Sequence, residues 1–197
     1  LWPETKLAYG PPVEGGFYYD IELDRPLSSD DFDRIEAEMK KIVEADKPFI
    51  RYEMAVDDGM AKLRGEGNPY KVDNAERALE ADDGDARLSF YATGKPGTDW
   101  EDLCRGPHVP STGRIGAFKL TNVAASHWKG DVNLQQLQRV YGTAFYDVKS
   151  LEDYLQRLEE ARQRDHRVLR QKRGLFTVDD QVGQGLILWK PKGSVVR

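Results

Sequence analysis

Cysteine is nearly absent from the sequence, since Cys104 is the only one in 197 residues. A single thiol excludes an internal disulfide framework and favours a reducing compartment. Long apolar runs are also missing, because no stretch approaches the roughly 18 residues that a membrane span needs. No charged leader followed by an apolar segment marks a signal peptide, and neither repeats nor low-complexity segments occur. We therefore expect a cytoplasmic protein with no membrane partner.

The composition is typical of a folded protein. Hydrophobic residues make up 39% of the chain and tyrosine occurs nine times, which argues against disorder. Single domains usually hold roughly 100 to 200 residues, so a chain of this length can bury one good core and carry an appendage.

The net charge of -5 hides an uneven distribution of charge along the chain. Residues 14–46 hold eleven Asp and Glu against four Lys and Arg, whereas residues 102–143 hold five Lys and Arg against two Asp. Residues 162–173 hold six Lys and Arg against one Asp. Because a phosphate backbone responds to local fields, the two basic stretches are compatible with a nucleic-acid partner, and equally with solvated faces.

Hydrophobic periodicity and turn residues outline the secondary structure. Period-two alternation predicts strands, and apolar residues at helical spacing after Ser28 predict an amphipathic helix that ends at Lys47 and Pro48. Because helices interrupt the strands irregularly, the pattern favours an α+β fold: a largely antiparallel sheet packed with helices, followed by a long linker helix. The predicted strands cover residues 17–23, 49–56, 86–93, 116–128 and 137–146, and the predicted helices cover 28–47, 60–64 and 150–172.

The densest group of reactive side chains lies between residues 102 and 110. Cys104 precedes His108 by four residues, with Asp102 and Arg105 beside them. The intervening Gly-Pro pair cannot sit inside a helix or a central strand, so we expect Cys104 and His108 on a turn. Sulfur and imidazole on a rigid turn suit a metal half-site, a nucleophile or a pocket for a polar substrate. The spacing alone leaves these alternatives open.

Two further residues are candidates, and each has a simpler structural alternative. Tyr19 lies on a predicted strand, where its hydroxyl faces a pocket or its ring is half-buried in the core. Lys71 follows an Asn-Pro pair, and it is a candidate anion contact or a solvent-exposed lysine.

Several motifs in order give the sequence a family resemblance. They are GPPVEGGFYYD (10–20), CRGPHVP (104–110), FKL (118–120), WKGD (128–131), LQRVYGTAF (137–145), YLQRLEEA (154–161) and RDHR (164–167). In this order and spacing they resemble the editing domain of bacterial-type threonyl-tRNA synthetases. The resemblance covers essentially the whole chain.

The resemblance implies a division of the chain. Residues 1–148 correspond to the editing domain, 149–174 to a linker helix and 175–197 to the beginning of a class II catalytic domain. The family's His-x-x-x-His helix is expected before Leu1, and the rest of the catalytic domain after Arg197. ATP with magnesium, a zinc site and homodimer contacts belong to that catalytic domain, so no cofactor is expected within this chain.

The resemblance also implies a reaction. A synthetase must reject serine, which lacks one methyl group of threonine, and a missing methyl gives only about 1 to 3 kcal/mol of discrimination. A second site therefore hydrolyses the wrong ester on the 3′ end of tRNA(Thr). By the family pattern His108 and Asp102 position the seryl group and the attacking water. The other implied roles are a contact to the terminal ribose or water for Lys71, pocket closure for Tyr19, substrate binding for Arg105, and a pocket wall and hydrogen-bond partner for Cys104.

Departures from the family pattern limit these implications. Related alanine-editing proteins bind zinc with a Cys-x-x-x-His pair and a His-x-x-x-His pair, and Cys104 and His108 have the first spacing, although two ligands do not close a tetrahedral site. The resemblance to the threonyl branch implies an editing pocket that works without a metal, so none is expected at Cys104 and His108. The family's histidine helix supplies the residue that is thought to activate water, and without it no residue of this chain is assigned as the general base. A positioned base raises the rate by about 10²- to 10⁴-fold, so we expect weak or no hydrolysis by this chain alone. His127 receives no role. The alternatives are a freestanding trans-editing hydrolase and a non-catalytic tRNA-binding module.

Overall fold

A computed structural model describes residues 1–80, 87–164, 176–178 and 187–191. The chain divides into two compact units, residues 1–148 and residues 149–197. Within the described ranges, none of the helices has the length and apolar character that crossing a membrane requires.

The first unit alternates strands and helices. Its strands are β1 (Lys6–Tyr9), β2 (Pro12–Val13), β3 (Gly16–Glu22), β4 (Phe49–Ala55), β5 (Arg87–Thr93), β6 (Glu101–Leu103), β7 (Ala117–His127) and β8 (Gln136–Phe145). Its helices are α1 (Phe32–Glu44), α2 (Val56–Gly65) and α3 (Pro69–Glu80). Helix α4 (Val148–Arg164) follows.

The larger sheet has the strand order β1-β3-β8-β7, with β2 also paired to β3, and every pairing is antiparallel. Its centre joins β3 to β8, where Asp20 lies opposite Arg139 and Tyr19 opposite Val140. The free edge of β7 is partly covered by α1, because the buried Glu36 carboxylate accepts from the backbone N–H of Leu120 at 2.8 Å. A side chain of α1 therefore supplies a hydrogen-bond acceptor for a backbone N–H at the edge of the sheet.

The smaller sheet has the order β4-β5-β6 and is amphipathic because side chains alternate along β5. Leu88, Phe90 and Ala92 are buried, and the first two pack with Met60 and Leu63 of α2. The intervening residues of β5 point to the opposite face. This face carries Ser89, Tyr91 and Thr93, and Tyr91 lies opposite Asp102 of β6.

Helix α3 is fastened to the edge of the larger sheet. Asn68 directly precedes the helix, and the side-chain oxygen of Asn68 accepts from the N–H of Tyr70 at 3.1 Å. Pro69 occupies the first helical position. The amides of Asn68 and Asn74 donate to the carbonyls of Leu7 and Ala8 on β1, each at 2.8 Å. Lys71 lies between these two anchors.

The sequence predicted most of this unit. The α+β class with antiparallel sheets is confirmed, and the capping box of Ser28 and Asp31 precedes α1 as the start signal indicated. The predicted helix 60–64 is too short, because α2 already begins at Val56. Helix α3 and the short strands β1, β2 and β6 were not predicted.

The second unit contains α4 and a two-stranded antiparallel sheet of β9 (Phe176–Val178) and β10 (Ile187–Trp189). The predicted linker helix begins within α4, and its residues 165–174 lie outside the described part of the chain. Residues 179–186 and 192–197 also lie outside it. The assignment of 175–197 to the start of a catalytic domain stays a prediction.

Candidate functional site

A cleft of about 870 Å³ lies in the first unit. The open face of the smaller sheet forms one wall, with residues of β3, α3, the 104–108 loop and the end of β7 around it. The cleft is therefore built from segments that are distant in sequence. All six residues predicted to act at the site, Tyr19, Lys71, Asp102, Cys104, Arg105 and His108, line it.

Three of these residues form a hydrogen-bonded cluster. The Lys71 ammonium donates to Asp102 Oδ2 at 2.7 Å and to the Tyr19 hydroxyl at 3.0 Å, and that hydroxyl donates to the same carboxylate oxygen at 3.0 Å. The side chains of Lys71 and Asp102 are only 8% and 17% exposed. Lys71 is thus a buried charged partner and not a solvent-exposed lysine.

The electrostatics of the cluster favour a neutral tyrosine. Burial and then the neighbouring Asp102 carboxylate raise the pKa of Tyr19 well above its usual range. Its hydroxyl therefore keeps its proton at neutral pH and stays a donor. Of the three N–H groups that an ammonium carries, these two contacts use two.

Cys104 and His108 lie on the loop after β6, as the Gly-Pro pair between them predicted. The Cys104 sulfur is 3.2 Å from Nε2 of His108. The backbone of Cys104 is fixed by Ser89, whose carbonyl accepts from the Cys104 N–H at 3.0 Å and whose hydroxyl donates to the Cys104 carbonyl at 2.8 Å. The loop is therefore attached to the same strand that forms the cleft wall.

The imidazole of His108 is oriented by aromatic packing. It stacks on Tyr91 with ring centroids 4.0 Å apart and planes inclined by 12°, and it meets Phe49 edge-on at 5.1 Å. This partial burial lowers the pKa of His108, although Asp102 opposes the shift. The ring is therefore neutral at pH 7 and able to accept a proton.

A glycine permits this stacking. Gly106 has φ +73°, a conformation that other residues rarely adopt, and a Cβ atom there would collide with the ring and hydroxyl of Tyr91. The loop thus approaches Tyr91 closely because Gly106 has no side chain.

Arg105 lies at the rim of the cleft. Its guanidinium donates to the carbonyl of Ala78 near the end of α3 at 3.3 Å, and the side chain is exposed. Its assignment to substrate binding stays a prediction. His127, to which the sequence assigned no role, lies in the cleft wall at the end of β7.

Basic residues predominate among the described charged residues of the cleft wall. Arg139 forms a bidentate ion pair with the buried Asp20 at 2.7 and 2.8 Å and lies over the ring of Tyr18 at 4.0 Å. The basic wall residues are Lys71, Arg77, Arg87, Arg105, Lys129 and Arg139, and the acidic ones are Asp20 and Asp102. This local excess of cations contrasts with the net charge of the chain and suits a polyanion.

Three residues of the cleft were missed by sequence reasoning. Tyr91 and Trp100 line the open face of the smaller sheet, and Arg139 is paired across the larger one. The alternation of β5 was a usable signal for Tyr91, since it places Ser89, Tyr91 and Thr93 on one face. No pattern in the sequence near either residue indicates the contact between Tyr91 and His108.

No third metal ligand joins Cys104 and His108 among the described residues, where groups of three His, Cys, Asp or Glu placed for a metal ion do not occur. Within that part of the chain the two residues form a hydrogen-bonded pair. Chemically, the cleft offers a buried ammonium, a carboxylate, a neutral hydroxyl donor and a neutral imidazole. This set suits a polar, uncharged reacting group such as an ester with a bound water.

Comparison with known proteins places this cleft in a family. A family model described as "Threonyl and Alanyl tRNA synthetase second additional domain" matches residues 88–141. This segment contains Tyr91, Asp102, Cys104, His108 and Arg139.

Three similar relatives carry the name threonine–tRNA ligase. The relative from Rhodopirellula baltica is 48% identical over 198 residues, which cover 100% of this chain and 26% of the relative. The relative from Thermus thermophilus is 50% identical over 197 residues, with 99% of this chain and 29% of the relative covered. The relative from Geobacter is 46% identical over 197 residues, with 100% and 30% covered. The chain thus spans less than a third of the length of these relatives, and it belongs to the threonyl-tRNA synthetase family, in the segment that holds the second additional domain.

Proposed function

We propose that this chain is the editing part of a threonine–tRNA ligase and that its cleft hydrolyses the ester of tRNA(Thr) mischarged with serine. One observation carries the proposal. Five polar side chains from separate segments converge in one cleft of a chain that is 46% to 50% identical to threonine–tRNA ligases. They are Tyr19, Lys71, Asp102, Cys104 and His108.

The chemistry of ester hydrolysis assigns roles to these groups. His108 is neutral at pH 7 and, with Asp102, positions the attacking water and the seryl group. The Lys71 ammonium, already held by Asp102 and Tyr19, contacts the terminal ribose or the water with its remaining N–H. Cys104 shapes the wall beside His108.

Selection of serine follows from size and polarity. Serine fits any pocket that threonine fits, so the ligation site cannot exclude it by more than about 10- to 200-fold. A second site that excludes the methyl group of threonine removes the seryl ester selectively. Together the two sites multiply their discrimination.

The test uses the chain in two contexts. Because the chain spans 29% of the Thermus thermophilus relative, it is assayed alone and also as a chimera, in which it replaces the matching segment of that ligase. Serine release from seryl-tRNA(Thr) is measured, with threonyl-tRNA(Thr) as the control. We expect the chimera to release serine and to spare threonine, and the chain alone to be weak or inactive.

Two other outcomes would support a different function. Selective hydrolysis by the chain alone, at the rate of the chimera, would support a freestanding hydrolase. Binding of tRNA without serine release in either context would overturn the hydrolase proposal and support an RNA-binding module.

A further inference from the structure

Trp100 is a large apolar side chain left exposed inside the cleft. It is 57% exposed, although it lines the same cleft as Lys71, Asp102 and His108. The proposed hydrolysis gives no role to this side chain. An exposed tryptophan ring within a polar cleft is a candidate contact for a ligand with a flat apolar face.

The backbone fixes where this ring lies. The carbonyl of Trp100 accepts from the N–H of Thr93 at 2.8 Å, so Trp100 continues the antiparallel ladder ahead of β6. Side chains two residues apart on a strand share a face, and Trp100 therefore lies beside Asp102, about 7 Å along the strand. Both side chains line the cleft accordingly.

We propose that the Trp100 ring is a stacking platform for the penultimate nucleobase of the tRNA 3′ end. The inference rests on the proposed function, because a seryl ester held at the Asp102 cluster places the terminal ribose there and leaves the preceding nucleotide to the surrounding cleft wall, which Trp100 lines. Aromatic side chains beside a basic groove are the usual means of holding single-stranded nucleic acid, since every base offers a flat face. The excess of basic residues in the cleft wall fits the same ligand.

A photochemical test locates the base directly. tRNA(Thr) with 5-iodocytidine at the penultimate position is bound to the ligase chimera and irradiated, and the linked peptide is sequenced. We expect the link at Trp100 and its loss in Trp100→Ala. A link at other residues whose yield does not change in Trp100→Ala would overturn the proposal.

A kinetic test separates this contact from the ester site. In the chimera, Trp100→Ala should lower kcat/KM for seryl-tRNA(Thr) by about 5- to 150-fold, the usual effect of losing one base–aromatic stack. The same variant should leave hydrolysis of 3′-seryl-adenosine unchanged, because this substrate lacks the penultimate nucleotide. Trp100→Phe should retain most of the activity on both substrates.

Control measurements decide the remaining outcomes. Tyr146→Ala removes another exposed aromatic ring, 100% exposed and not part of the cleft wall, and should change neither substrate nor crosslink. Equal losses on both substrates in Trp100→Ala would contradict the stacking role. If the parent chimera hydrolyses neither substrate, the editing proposal fails by itself, and the position of the crosslink still decides whether Trp100 holds the base.

Discussion

Lys71 and Asp102, which lie 31 residues apart in the sequence, form an ion pair of 2.7 Å that is almost closed to solvent. Lys71 comes from α3, which is anchored to the larger sheet, and Asp102 comes from β6 of the smaller sheet. The pair therefore links the two layers of the first unit at the floor of the cleft. We therefore expect the pair to stabilise the first unit as well as to shape the cleft.

The first prediction concerns the contribution of this ion pair to stability. Asp102→Ala leaves the Lys71 charge buried without its carboxylate, so the free energy of unfolding should fall by about 3 kcal/mol. Urea denaturation measures this change in the free energy of unfolding. The matched control is Glu38→Ala, which breaks the ion pair between Glu38 and Lys41. The side chains of these two residues are 44% and 68% exposed. That loss should be much smaller, because solvent screens the charges of an exposed ion pair. Equal losses in the two variants would contradict the account.

The second prediction concerns the pKa of His108. Its ring stacks on Tyr91, and partial burial lowers its pKa. Tyr91→Leu should hydrate the imidazole and raise that pKa towards the ordinary value of about 6.5, helped by the nearby Asp102. Tyr91→Phe keeps the stacked ring and should leave the pKa unchanged. NMR titration resolves the signal, since the chain has three histidines.

The same shift has a consequence for stability against pH. Because the pKa of His108 is lower in the folded state, the unfolded chain binds the proton more readily. The contribution of His108 to stability is therefore complete above pH of about 6.5 and is lost as pH falls through the folded-state pKa. A pKa of His108 that is identical in the parent and in Tyr91→Leu would refute the role of Tyr91, and a folded-state pKa at or above about 6.5 would refute the pH dependence.

The third prediction concerns the close approach of Gly106 to Tyr91. Gly106→Ala combines an unfavourable φ with a collision against the Tyr91 ring. Gly67 has a similar φ of +69° but open space around it, so Gly67→Ala measures the cost of the backbone conformation alone. We expect about 1 kcal/mol of destabilisation for Gly67→Ala and a clearly larger loss for Gly106→Ala.

A double variant checks the cause. In Gly106→Ala with Tyr91→Leu, the smaller side chain should relieve the collision and recover part of the stability. Additive losses in urea denaturation would show that the ring of Tyr91 is not the obstacle.

The fourth prediction separates a wall from a nucleophile at Cys104. Its sulfur contacts His108 Nε2 at 3.2 Å, a geometry compatible with either role. If Cys104 shapes the wall, Cys104→Ala in the ligase chimera should lower serine release by less than about tenfold, the effect of one weak hydrogen bond. Abolished hydrolysis in Cys104→Ala, with unchanged urea stability, would make the sulfur the attacking atom.

The sequence predicted those features that depend on local chemistry. The capping box before α1, the alternating strands and the Gly-Pro turn each carry a pattern that neighbouring residues decide. Helix α3 was missed although Asn68 and Pro69 form a recognisable helix start.

The contacts that assemble the cleft could not be predicted from local patterns. From its sequence context Lys71 was compatible with a solvent-exposed position, and only its contacts with Tyr19 and Asp102 make it a buried partner. The stacking of His108 on Tyr91 depends on the register of β5 and on the loop that Gly106 allows. Such contacts form between segments distant in sequence, and periodicity carries no information on them.

The most direct test of the central claim is the rate of serine release from seryl-tRNA(Thr) by the ligase chimera, with and without His108→Ala. The side chain of His108 positions the water in this account, and misplacing a reacting group costs about 100-fold. We predict a fall of at least that size, with threonyl-tRNA(Thr) spared in both proteins and with tRNA binding unchanged. Equal rates of serine release by the parent chimera and His108→Ala would contradict the account, because His108 would then not position the attacking water.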